Sequence, residues 1–253
     1  MTRKFSSGLA DLARTLNQGA GSFLDGTVRE AGITCDVCAA PVAGYSLCFR
    51  CQEHANFAVP IADRVASSVY AVEPDSQTYR IVRDYKGQRP VRSHQQAMSA
   101  LLALGLRGHA DCASKLAGER IDGWALVPST QGRSTLRNLV VRLARFPAQE
   151  IPVRYSGPER HREFTPEFWP VELSSVSRHV LLIDDSWVTG GHAQSVAASL
   201  KAVGAQRVSI FTVARVLDPQ WDPTREFIRG RLGGGTFDWI RCPWTSGACP
   251  EEG

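Results

Sequence analysis

The stretch "HVLLIDDSWVTGGHAQS", His179–Ser195, decides the reading of this chain. Four apolar residues, Val180 to Ile183, run straight into Asp184 and Asp185, and a glycine pair then opens a helical pattern. A short apolar run bounded by turn residues reads as a buried strand. In open α/β sheets, ligands bind beyond the carboxyl ends of the strands. The acid pair sits at such an end, and "TGGH" opens the next helix. There, free backbone N–H groups and the helix dipole attract an anion. Gly190 and Gly191 allow close backbone approach. Carboxylates repel phosphate, so the aspartates serve another part of the same ligand, either hydroxyl groups or a hydrated magnesium ion. A ribose 5-phosphate carries a phosphate at one end and vicinal hydroxyls at the other. Plain helix capping is the alternative, and the order of strand, acid pair and glycine turn argues against it.

Working outward, strands are expected at 64–72, 123–128, 150–155, 179–184 and 207–216. Helices are expected at 93–107, 134–146 and 191–204. Alternation of strands and helices, with near-continuous apolar strands, predicts an α/β fold with a mostly parallel sheet flanked by helices. Phe5, Leu9, Leu12 and Leu16 fall at helical spacing and predict a short amphipathic N-terminal helix.

"CDVCAAPVAGYSLCFRC", Cys35 to Cys51, is a pair of C-x2-C knuckles. Four thiolates satisfy the tetrahedral preference of zinc, so Cys35, Cys38, Cys48 and Cys51 are expected to hold a structural zinc ion. His54 lies just beyond and is read as a bystander. The division expected is an N-terminal helix and zinc module over 1–57 and an α/β domain over 58–253, with a C-terminal extension from about 218. In that extension, Cys242 and Cys249 lack knuckle spacing. They read as a labile pair, as part of another metal site, or as bystanders in a tryptophan-rich cap.

The N-terminus lacks the unbroken apolar run of a signal peptide, and no stretch reaches the roughly 18 apolar residues of a membrane span. A reduced, cytoplasmic chain without a membrane partner is expected. The formal charge of +4 is mild, but 80–92 carries five cations against one acid, and 133–145 carries four arginines and no acid. Such patches suit an anionic partner, a phosphorylated small molecule or nucleic acid.

"VLLIDDSWVTGGH" resembles the phosphoribosyl pyrophosphate (PRPP) fingerprint of type I phosphoribosyltransferases. Trp187 stands where that pattern has a small aliphatic residue, and His192 where it has threonine or serine. The four-cysteine module, then "RDYKGQR", then a strand ending in "VP", then this motif, is similar to the competence-protein ComF group over about residues 20–217. That group's "RGFNQ" box is replaced here by "TQGRSTLRNL". The resemblance implies a type I phosphoribosyltransferase-like fold and a pentosyl-transferring enzyme that binds PRPP with magnesium. It would transfer the phosphoribosyl group to an unidentified nitrogen acceptor and release pyrophosphate. It places Asp184 and Asp185 in the catalytic position at the ribose hydroxyls. Ser186, Val188, Thr189, Gly190, Gly191 and His192 would hold PRPP, with Thr189 and Ser195 as further hydroxyls for its phosphate. Lys86, Ser129, Thr130, Arg133 and Arg162 would meet pyrophosphate, with Arg154 and Arg160 as further cations on the mobile loop the family carries at 154–169. Two alternatives stand beside this reading. One is a PRPP-binding sensor with altered catalysis; the other is a ComF-like DNA-uptake accessory gripping nucleic acid. A homodimer is compatible with each.

Overall fold

The computed structural model describes residues 6–109, 111–143, 148–158, 161–172, 177–234 and 236–251. In chain order the elements are α1 (Ser7–Ala20), α2 (Phe49–Ala55), β1 (Arg64–Val72), α3 (Gln77–Asp84), α4 (Arg92–Gly108), α5 (Cys112–Ala117), β2 (Gly123–Leu126), α6 (Thr135–Leu143), β3 (Gln149–Glu150), β4 (His179–Trp187), α7 (Gly191–Ala202), β5 (Arg207–Leu217) and α8 (Asp222–Arg231). A single 3-10 turn covers Pro166–Phe168. The strands form one five-stranded sheet in the order β1-β5-β4-β2-β3, with every pair parallel. The predicted α/β class with a parallel, helix-flanked sheet is therefore the observed one.

Burial follows from the strand composition. Only Arg207 of β5 is exposed, as expected for a strand covered on both faces. Side chains alternate between two apolar cores. Leu181, Ile183, Phe211 and Val213 join the core that holds α1 and α4. Val180, Leu182, Val208 and Ile210 join the one that holds α7. Leu9, Ala13, Leu16 and Ala20 form the buried stripe of α1, which packs on α4. Leu12 is partly buried there, and Phe5 lies outside the described residues. The four cysteines of the N-terminal module belong to the same apolar cluster as β4 and α7. The module is thus packed onto the sheet's α7 face.

Three strands differ from expectation. β4 runs through Trp187, because Asp184, Ser186 and Trp187 stay in register with Thr212, Ala214 and Arg215. The strand expected at 150–155 pairs in parallel only through Gln149–Glu150. Pro152 has no N–H to continue the ladder, and Val153 instead bridges Val171 in antiparallel fashion. β2 ends at Leu126, just before Pro128. Among the described residues, no helix is long and apolar enough to cross a membrane.

Candidate active site

β2 and β4 lie side by side, but the chain leaves β2 toward β3 and leaves β4 toward β5 on the other side. Connections that diverge in this way open a crevice at the carboxyl ends of the two strands. A cavity of about 810 Å³ lies there. It is lined by the loop after β2, by the β4–α7 turn, by Tyr85 and Lys86 beyond the end of α3, and by Arg162. Lys86, Ser129, Thr130, Arg133, Arg162, Asp184, Asp185, Ser186, Val188, Thr189, Gly190, Gly191 and His192 all line this one cavity. Residues from four separate segments are thereby brought together.

The two aspartates have different surroundings. Asp185 is buried. Its Oδ2 accepts hydrogen bonds from Tyr85 Oη at 2.7 Å and from Lys86 Nζ, and its Oδ1 accepts one from Ser186 Oγ at 2.8 Å. Burial pushes this carboxyl up, but Lys86 and the three hydrogen bonds outweigh it and hold it below the usual range. Asp184 is only partly buried, and its Oδ1 accepts the Asp185 amide at 2.8 Å. Desolvation and the neighbouring Asp185 charge push its carboxyl well above the usual value. Lys86 loses basicity to burial but regains more from Asp185, so its ammonium is held charged. One carboxylate is thus locked by three donors while the other is freer to meet a ligand.

The turn before α7 is shaped by its packing. Gly190 adopts a left-handed φ of 86°, and a Cβ there would lie 2.2 Å from the Trp187 ring. A Cβ on Gly191 would lie 2.4 Å from the Arg162 carbonyl oxygen. Glycine is therefore required twice, by backbone angle and by close approach. Arg215, buried on β5, donates from one guanidinium nitrogen to the carbonyls of Trp187 and Val188, each at 2.9 Å. These bonds fix the chain just ahead of the turn.

The His192 imidazole faces the 154–169 segment. Its Nε2 meets the His161 carbonyl, and its ring centroid lies 5.1 Å from that of Trp169. Burial lowers its basicity. Its amide stays at the start of α7. Ser195 is fully buried; its hydroxyl donates to the Gly191 carbonyl and accepts from the Thr165 amide, each at 2.7 Å. Arg154 pairs with Glu172 and does not line the cavity. Arg160 lies outside the described residues.

Sequence reasoning passed over Tyr85, Arg215, and the Arg137–Glu150 pair on the cavity wall, bidentate at 3.0 and 2.7 Å. A signal existed for Arg215, a lone arginine inside the apolar run "IFTVARVL". Tyr85 sits beside Lys86 in the basic stretch 80–92, where the cations stand out and nothing marks the tyrosine itself.

On the far side of the turn, the Sγ atoms of Cys35, Cys38, Cys48 and Cys51 all lie within 4.8 Å of one another, with Cys38 and Cys48 at 3.6 Å. A zinc tetrahedron with bonds of about 2.3 Å places its sulfurs about 3.8 Å apart, so this group could hold such an ion. His54 is buried edge-on to Trp187, with ring centroids 6.5 Å apart.

No family model and no curated protein gives a significant match to the chain. Solved structures resemble it distantly. Orotate phosphoribosyltransferase of Mycobacterium tuberculosis H37Rv is 14% identical at a TM-score of 0.33, over 83% of this chain and 95% of that one. A phosphoribosyltransferase of Corynebacterium diphtheriae is 13% identical at 0.33, over 84% and 96%. Adenine phosphoribosyltransferase of Leishmania donovani is 15% identical at 0.34, over 69% and 81%. The functional reading rests on the residues of the cavity itself.

Proposed function

We propose that this protein binds PRPP with magnesium in the β2–β4 crevice and transfers the phosphoribosyl group to a nitrogen acceptor, releasing pyrophosphate. One observation carries the reading: an acid pair and a left-handed glycine turn share a single cavity with cations from three other segments, Lys86, Arg133 and Arg162.

Each group has a role in keeping with its surroundings. The amides that open α7 suit the 5-phosphate, with the Thr189 hydroxyl beside them. Asp184, the freer carboxylate, accepts from the ribose hydroxyls. Asp185, engaged by Tyr85, Lys86 and Ser186, positions the Lys86 ammonium. Lys86, Arg133 and Arg162, with the Ser129–Thr130 loop, receive the pyrophosphate. Magnesium, a hard cation that favours oxygen ligands, would be held at Asp184 and would neutralise pyrophosphate charge. In the transfer, the acceptor nitrogen's lone pair forms a bond to C1 as the C1–O bond to pyrophosphate breaks, the electron pair leaves with the pyrophosphate oxygen, and the proton of the acceptor N–H passes to solvent. Positive charge gathers on the ring carbon and negative charge on the leaving oxygens. Fixed cations and amides stabilise that distribution without a general base.

The four-cysteine group is read as a structural zinc site. Zinc with four thiolates carries a net double negative charge, and Arg29 and Arg215 both lie within electrostatic reach of Cys38. All four ligand positions are filled, which leaves none for catalysis.

Calorimetry with PRPP and magnesium, followed by a pyrophosphate-release screen over bases and amines, tests the reading. Saturable magnesium-dependent binding and release with at least one acceptor are expected. Absence of PRPP binding overturns the proposal. Tight binding with no release for any acceptor replaces it with the sensor reading. Salt-dependent binding of short single strands, without PRPP binding, replaces it with the nucleic-acid reading.

A further inference from the structure

We propose a second structural metal site, of the three-cysteine, one-histidine zinc class, built by His109, Cys112, Cys242 and Cys249. It does not depend on the phosphoribosyl-transfer reading. His109 and Cys112 sit where α4 gives way to α5, and Cys242 and Cys249 lie in the C-terminal extension. The fold brings one ligand atom from each within 4.8 Å of all the others. His109, Cys112 and Cys242 are buried, and Cys249 is half-buried. None of the cysteines is in a disulfide.

Three features point to a metal. The first is the histidine's orientation. His109 Nε2 lies 3.1 Å from the Trp239 carbonyl oxygen. A carbonyl only accepts, so Nε2 carries the proton and Nδ1 presents its lone pair. Nδ1 faces the thiols, 3.3 Å from Cys249 Sγ and 3.9 Å from Cys112 Sγ. A metal-bound histidine characteristically donates its other N–H to a carbonyl or carboxylate in this way. The second is spacing. Zinc bonds of about 2.3 Å to sulfur and about 2.0–2.1 Å to nitrogen place N and S about 3.6 Å apart in a tetrahedron, between the two observed distances.

The third is a backbone turn repeated from the first cysteine group. There, the Cys35 amide donates to Ala40 O at 2.7 Å and the Ala39 amide to Cys35 O at 2.9 Å. In the extension, the Cys242 amide donates to Gly247 O at 2.9 Å and the Ser246 amide to Cys242 O at 2.7 Å. Ala39 and Ser246, each four residues past its cysteine, have φ of 58° and 57°. They are the only non-glycine residues with positive φ among those described. Such a conformation is uncommon outside glycine. Its recurrence four residues past both Cys35 and Cys242 gives Cys242 the local geometry of a metal knuckle.

The site would clasp the extension to the core. The ligand pairs come from segments far apart in sequence, and the clasped segment already carries two anchors. Asn17 on α1 donates to the Phe237 carbonyl at 3.0 Å, and the Trp244 ring packs near Phe211, with centroids 6.4 Å apart.

The test is a zinc count by elemental analysis on the full chain, purified under reducing conditions without chelator. Wild type is expected to carry about two ions per chain, with Cys249→Ser and Cys51→Ser each losing one. A single ion that Cys51→Ser loses and Cys249→Ser keeps overturns the second site. A single ion lost only by Cys249→Ser upholds it and overturns the first. If Cys249→Ser does not fold, wild type and Cys51→Ser decide between them: one ion kept by Cys51→Ser supports the site, and none overturns it. A disulfide among Cys112, Cys242 and Cys249 in reduced protein also overturns it.

Discussion

The turn between β4 and α7 has two sides, and they are built differently. On the cavity side are Asp184, Thr189 and the first amides of α7, with polar groups facing open space. On the packed side, Trp187 is 1% exposed and lies edge-on to His54 of α2, the helix that also carries Cys51. Arg215 ties the Trp187 and Val188 carbonyls to β5. The difference suggests a division of labour. The packed side sets the position of the turn, and the cavity side uses it. Changes on the packed side should then cost stability and binding together, whereas changes on the cavity side should separate the two.

The largest effect is expected from Cys51→Ser. Apparent zinc-binding energies in small structural sites are roughly 10–16 kcal/mol, so losing one ligand should weaken the group severely. The cysteines share an apolar core with β4 and α7, so the loss should reach the whole fold. A fall of about 10 °C or more in the unfolding midpoint is expected, on the scale of about 2–4 °C per kcal/mol for a chain of this size. PRPP affinity should fall with it. Thermal unfolding and calorimetry on the same sample check this. Unchanged PRPP affinity in the metal-depleted variant would show that the two sides are uncoupled.

Gly190→Ala strikes where the sides meet. A left-handed backbone costs a residue with a Cβ about 1–2 kcal/mol, and the Trp187 ring stands 2.2 Å from where that Cβ would be. Overpacking adds about 1–3 kcal/mol. Destabilisation of about 3 kcal/mol with loss of PRPP binding is expected. The double variant Gly190→Ala, Trp187→Val separates the causes by a mutant cycle. Partial recovery of stability assigns the difference to the ring, and no recovery assigns the whole cost to the backbone angle.

The two sides also differ in how far the sequence reveals them. "LLIDD" and "TGGH" are contiguous, and each carries its own physical signature, so the cavity side is legible from the amino-acid order alone. The first cysteine group is legible for the same reason, since its four cysteines fall within Cys35–Cys51. The packed side rests on contacts distant in sequence. Nothing local shows that Arg215 reaches back to Trp187, or that Tyr85 and Lys86 donate to Asp185 across about a hundred residues. Trp187 is legible only as an unusual residue in its position; the fold places its ring under Gly190. The short helices α2, α3, α5 and α8 carry no helix expectation. Two of them, α2 and α5, span two turns or less, too few for periodicity to stand out. The approach of Cys112 to Cys242 is hidden for the same reason as Arg215: folding, not spacing, brings them together.

The smallest and sharpest test lies wholly on the cavity side, in the contrast between Asp184→Asn and Asp185→Asn. The Asp184 carboxyl is raised by desolvation and by the Asp185 charge. A carboxyl raised on folding contributes stability that is complete below its unfolded value, about 3.9, and lost as pH rises through the folded value. Asn at 184 carries no charge to penalise, so this variant should gain on wild type as pH rises above about 4. Asp185 is the reverse case. Burial raises it, but Lys86, Tyr85 and Ser186 hold it lowered overall, so its contribution is present above the unfolded value and lost as pH falls through the folded one. Asp185→Asn should therefore be destabilised at neutral pH, by about 1–3 kcal/mol, because it leaves Lys86 without its carboxylate. The deficit should close as pH falls toward the lowered folded value. Both variants should bind PRPP more weakly, Asp184→Asn by direct loss of a charged acceptor, on the order of tenfold to a hundredfold. Asp184→Asn should thus be more stable and bind less, which is what a ligand-facing charge predicts and a structural cap does not. Urea unfolding at pH 4, 6 and 8, with PRPP calorimetry at neutral pH, measures both quantities. If Asp184→Asn proves destabilised at pH 8 while its PRPP affinity is unchanged, Asp184 belongs with the packed side and the division across the turn fails.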